Sequence, residues 1–159
     1  AELWAEGVVR NFARTPQSND TGQIRAVASG ECQIAVVNTY YLARLAASDD
    51  PADLAVAAAV GIVFPGQQGN GTHVNISGAG VVSTSPNRDN AIRFLEYLTS
   101  DRAQSLFADG NNEYPAVPSV GASSKVVALG EFKEDGLNAA ELGVHQSTAI
   151  MVFDRAGWQ

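Results

Sequence analysis

A chain of 159 residues at 45% hydrophobic composition can build one domain with its own core, and no apolar run in it reaches the roughly 20 residues of a membrane span. Its formal net charge of −7, spread without long runs, argues against nucleic-acid or anionic-membrane partners, which need clustered Lys and Arg, and leaves a cationic ligand open. The single cysteine, Cys32, excludes an internal disulfide framework and a cysteine-built zinc cluster, and reads as a small buried hydrophobe.

The chain opens at Ala1 directly into a helix-like segment with no signal peptide, as expected of a mature exported protein or of a fragment. Leu3, Trp4, Val8, Val9 and Phe12 recur at helical spacing and predict an amphipathic helix over 2–13. Residues 15–19 read as a loop. Asp20 is expected to cap a second helix, with Ile24, Val27 and Ala28 inward and Gly30 as its left-handed stop. Residues 34–37 form a short β-branched run between Gly30 and Asn38-Thr39, the pattern of a buried strand. From Tyr40 the period changes: Tyr41, Leu42 and Leu45 fit one helical face, and Asn38 or Thr39 is a natural N-cap. Two phenols therefore stand in the first turn of a helix, just beyond the carboxyl end of a strand. Ligands bind in such crevices of open α/β sheets.

Residues 48–51 end that helix. Asp49, Asp50 and Asp53 lack the spacing of an EF-hand calcium loop and read as a solvated turn that caps a helix over 51–59. Residues 61–64 are a short buried strand. The loop 65–71 has three glycines but no lysine, so it is not a P-loop. Residues 72–83 are β-prone, interrupted by Gly78 and Gly80, which signals a bulge or a close backbone approach. Gly78-Ala79-Gly80 lacks the third glycine of a dinucleotide fingerprint. Ser77 is in no nucleophile elbow, and two histidines leave a hydrolase triad little to draw on. Residues 86–109 are helical, carrying Ala91, Ile92, Leu95, Leu98, Ala103, Leu106 and Phe107 on an apolar stripe, with a restart at Asp101 and a stop at 110–112. Tyr114 reads as a packed or hydrogen-bonded aromatic, not a ligand. Residues 125–130 and 137–142 are short helical pieces, and 145–156 closes the chain as a helix burying Ala149, Ile150, Val152 and Phe153. The alternation of strands and helices gives an α/β class. A lone histidine is usually structural, so neither His73 nor His145 is assigned to a metal.

The tyrosine pair is the one feature that packing alone does not readily explain. A phenol has a pKa of about 10, and ionising it at pH 7 costs roughly 4 kcal/mol. A helix N-terminus recovers up to about 1 kcal/mol. The remainder must come from a hard, highly charged cation that prefers anionic oxygen, and ferric iron suits that better than zinc or calcium. The alternative is two aromatics packing under a helix.

The segment Gly30-Glu31-Cys32-Gln33-Ile34-Ala35-Val36-Val37-Asn38-Thr39-Tyr40-Tyr41-Leu42-Ala43-Arg44-Leu45 resembles the tyrosine-pair segment of the bacterial periplasmic ferric-iron-binding proteins, the substrate-binding subunits of iron ABC importers. Asn11-Phe12-Ala13-Arg14, Gln23-Ile24-Arg25-Ala26-Val27, residues 71–81 and Asn112-Glu113-Tyr114-Pro115 extend the resemblance over nearly the whole chain. It covers only the C-terminal half of the family's usual length.

The resemblance implies an α/β chain forming part of a two-lobed periplasmic-binding-protein fold of class II, in which lobes close on ligand by hinge bending. Residues 1–72 would be the second-lobe portion with the tyrosine pair. Residues 73–120 would be a hinge strand and the returning first-lobe portion, and 121–159 C-terminal helices packing back on the second lobe. Tyr40 and Tyr41 carry over as ligands of Fe(III). Asn38 matches a position that in some relatives helps hold an accompanying, synergistic anion. Arg44, four residues after Tyr40, is expected either to neutralise phenolate charge or to pair with Asp49 or Asp50.

The implied protein is not an enzyme but an iron receptor, periplasmic or membrane-tethered outside a Gram-positive cell. Its partners would be ferric ion, the membrane permease of an ABC importer, and either a missing N-terminal half or a swapped second copy. The alternative is a two-lobed solute-binding protein for an organic anion or a chelated metal, with no direct tyrosine–iron bonds.

Overall fold

The computed structural model describes residues 1–17 and 19–158; Ser18 of the predicted loop and Gln159 lie outside the described residues. Among the described residues the order is α1 (Glu2–Arg10), α2 (Asp20–Ala28), α3 (Thr39–Ala46), α4 (Pro51–Ala58), α5 (Arg88–Leu98), α6 (Asp101–Asn111), α7 (Ser124–Val127) and α8 (Ala139–Ala156). The chain divides into two compact units, Ala1–Val37 with Phe64–Val74 and Lys133–Gln159, and Asn38–Val63 with Asn75–Phe132.

In the first unit α1 lies on α8 and buries Ala5. Arg155 on α8 donates from Nε to Glu2 Oε1 at 2.7 Å and from Nη2 to Oε2 at 3.3 Å. Trp158 stands edge-on to Phe12 and to Phe153, with centroids 5.0 Å apart in each pair. Helix α1 stops at Arg10, three residues short of the expected end, where Asn11 Nδ2 donates to the Gly7 carbonyl at 2.8 Å. The cap of α2 is Asn19, which accepts from the Gly22 N–H at 3.1 Å, one residue before the expected Asp20. Gly30, at φ +78°, supplies the left-handed stop. The turn 66–71 is clamped by one side chain: Gln67 Oε1 accepts from the Lys133 N–H at 2.8 Å while its Nε2 donates to the Lys133 carbonyl at 3.1 Å. The same turn leads into a parallel bridge between Thr72 and Glu134. Gly71, at φ +111°, passes so close to the Glu134 backbone that a Cβ would collide with its carbonyl.

In the second unit α3 packs on α4 and α7, burying Ala43, Leu45 and Val126. Pro51 opens α4 at the position where its missing N–H costs nothing, and Asp50 Oδ1 accepts from the Ala52 N–H at 2.8 Å. Helices α5 and α6 are separated at Ser100, whose Oγ accepts from the Ala103 N–H at 3.3 Å. Asn112 ends α6 at φ 58°. Tyr114 sets its ring edge-on to Phe132 at 5.6 Å, and burial pushes its phenol above the usual value of 10.0.

The three predicted strands are the main correction. Residues 34–37, 61–64 and 72–83 form no ladder among the described residues beyond the Thr72–Glu134 bridge. A helix closes its hydrogen bonds within itself, but a strand exists only against a neighbour. Their apolar side chains stand open, with Ile34 83% and Val36 98% exposed. A second correction is that 137–142 and 145–156 are not separate pieces: from Ala139 the two merge into the single α8, 18 residues long, and Gly143 is accommodated inside it. Nor is the expected inner face of that helix buried; Ile150 is 52% exposed.

Candidate metal centre

Helix α3 positions the tyrosine pair. Its first turn begins at Thr39 and its far end is anchored by buried Ala43 and Leu45, so the early residues are held against a fixed base. Tyr40 and Tyr41 are both half-buried. Their ring centroids lie 4.5 Å apart at 37°, so the two phenols stand side by side instead of pointing to opposite faces of the helix. A pair oriented in this way can present two oxygen donors to one side, which two rings packed under a helix would not need to do.

Arg44, exposed, brings its guanidinium carbon to 5.3 Å from the centroid of the Tyr41 ring. Arg44 and Tyr41 are three residues apart, a spacing that brings side chains on a helix together, and the ring face of Tyr41 attracts the cation. No ion pair of Arg44 with Asp49 or Asp50 forms among the described residues. Asp50 caps α4 instead, and Ser48 donates from Oγ to Asp53 Oδ2 at 2.8 Å.

Asn38 occupies the N-cap position of α3 with φ −75° and ψ 139°, but its side chain makes no cap hydrogen bond. Instead Oδ1 accepts from Asn75 Nδ2 at 3.2 Å. Forgoing a cap costs a helix about 1 kcal/mol, so this diversion is a real departure from the sequence pattern. No local signal marks Asn75 as the partner, because it lies 37 residues away on a segment without regular structure.

His73 is exposed in the first unit, in the short stretch Phe64–Val74. His145 is on α8, beside an apolar hollow of about 270 Å³ lined also by Trp4, Val152 and Phe153. No group of three or more His, Cys, Asp or Glu side chains that could hold a metal occurs among the described residues. Donors of that kind are therefore not gathered here, and the phenols are the chemistry the chain itself brings together.

Residues 2–134 match the family described as bacterial extracellular solute-binding protein. Iron uptake protein A1 of Synechocystis sp. (strain ATCC 27184 / PCC 6803 / Kazusa) is 49% identical over 156 residues, covering 98% of this chain and 43% of its own length. The Trichodesmium protein (IdiA, FutA) in complex with iron and citrate superposes with a TM-score of 0.94 at 54% identity, over 99% of this chain and 50% of the other. The ferric binding protein from Campylobacter jejuni does so at 0.95 and 37%, again over 99% and 50%. The chain thus spans about half the length of the relatives it matches. Its architecture is that of part of a two-lobed periplasmic binding protein, and by sequence it belongs to the bacterial extracellular solute-binding protein family.

Proposed function

We propose that the protein is a ferric-iron receptor of an ABC uptake system, working outside the cytoplasmic membrane and performing no catalysis, and that Tyr40 and Tyr41 bind the metal as phenolates. The observation that carries this reading is the side-by-side, half-buried phenol pair at the start of α3. Support comes from relatives whose names describe iron uptake and ferric binding, one of them solved with iron and citrate.

The chemistry follows from the phenols. Each must lose a proton to bind, a cost that a trivalent ion offsets. Binding therefore releases protons, and acidification opposes it. Arg44, over the Tyr41 ring, balances part of the negative charge that two phenolates introduce. Asn38, at the head of the same turn, takes part in holding an accompanying anion. Two phenolates do not complete the shell of a ferric ion, so further ligands come from the half of the protein that the relatives possess and these 159 residues do not include. The same half, or a swapped second copy, would supply strand partners for residues 34–37 and 61–64. Handover to a membrane permease completes the assigned role.

The test is optical. Phenolate–iron pairs absorb visible light by charge transfer, so the full-length protein titrated with ferric citrate should colour. Tyr40→Phe and Tyr41→Phe should each remove the band or weaken binding by at least about tenfold, or 1.4 kcal/mol. Unchanged colour and affinity in both variants would overturn the assignment and favour a chelated metal or organic anion held without tyrosine–iron bonds.

A further inference from the structure

We infer that Asn75 is a positioning residue for the tyrosine turn, acting through the Asn38 carboxamide; the inference rests on the ferric reading above. The two stretches that make up the second unit begin at Asn38 and at Asn75, and these two opening residues are hydrogen-bonded to each other through their side chains at 3.2 Å. The chain thus passes into that unit twice, and an amide clasp joins the two points of passage.

The clasp has a conformational cost that makes it informative. Asn19, Asp50, Ser100, Ser123 and Asn138 cap their helices from extended backbone, with ψ of 179°, 118°, 150°, 154° and 127°. Asn38 has the same backbone geometry, with ψ 139°, and a competent side chain, but does not cap. Asn87, the other asparagine that fails to cap, has ψ 42° and so lacks the geometry. Asn38 is therefore not disabled by its backbone, and its carboxamide oxygen is engaged by Asn75 instead. Asn75 holds the carboxamide turned away from the helix, two residues before Tyr40, where the amide contributes to ligand contact instead of to helix stability. An exposed hydrogen bond between neutral amides adds little to folding, so its effect belongs to orientation.

This gives two readouts of opposite sign, which a purely structural residue would not produce. In the full-length protein, Asn75→Ala should release Asn38 to cap α3, slowing hydrogen exchange in the first turn of that helix. The same variant should weaken ferric citrate binding about tenfold, as loss of an outer-shell partner typically does, and shift the charge-transfer band. Asn38→Ala should weaken binding similarly, and Asn38→Ala with Asn75→Ala should add nothing further, because the second residue acts only through the first. Wild-type binding and exchange in Asn75→Ala, or losses that add in the double variant, would overturn the inference. Tyr40→Phe and Tyr41→Phe serve as the control: if they bind like wild type, the ferric reading fails, and the exchange measurement on the iron-free protein still decides whether Asn75 restrains Asn38.

Discussion

Helices α3 and α8 hold their shapes by opposite means. The eight residues of α3 are too few to be stable alone, and it exists because Ala43 and Leu45 are buried against α4 and α7. The eighteen residues of α8 bury none of their side chains completely. That helix has enough internal hydrogen bonds to persist with partial cover, helped by a cap at Asn138, a left-handed stop at Gly157 and contacts with α1. The difference shows where precision is needed. The helix that carries the phenols is the one whose position is set by a core, whereas the longer one presents broad apolar surface that other parts of the protein can cover.

The comparison breaks most readily at Leu45. It is 4% exposed, and Leu45→Ala should cost about 2–5 kcal/mol in chemical denaturation and, on the proposed ferric reading, weaken iron binding alongside as the tyrosine turn shifts. Trp158→Ala removes two edge-on aromatic contacts where the chain leaves α8, and should cost about 1–3 kcal/mol while leaving the charge-transfer band in place. Equal effects of these two substitutions on iron binding would erase the distinction between the helices.

The smallest effect is the Glu2–Arg155 pair, whose side chains are about half exposed. The Arg155 guanidinium, by hydrogen bonding, holds the Glu2 carboxyl below its ordinary value of 4.5. The folded form is therefore favoured above that pH, and the contribution fades as pH falls through the depressed folded value. Salt should weaken it further, and Glu2→Gln should flatten only the acid end of the stability profile.

Local rules made much of this legible. Pro51 behind Asp50, Ser100 before Asp101 and Gly30 after Ala28 fixed helix ends because caps and left-handed stops depend on a few adjacent residues. The cap of α2 fell on Asn19 because neighbouring asparagine and aspartate are equally competent. Residues 34–37 and 61–64 carry β-branched composition, but composition does not supply a partner, and ladders require one. The tyrosine pair was visible as adjacency and Arg44 as spacing. The Asn38–Asn75 bond was not, since it is a long-range contact on an exposed segment that no periodicity announces.

The bare runs around Ile34, Val36 and Val63, the last 87% exposed, carry a consequence for handling and biogenesis. Peptide groups and branched side chains on offer along such borders recruit whatever extended polypeptide is nearby, their own kind included. Made by itself at micromolar concentration, this stretch should clump or ride on chaperones.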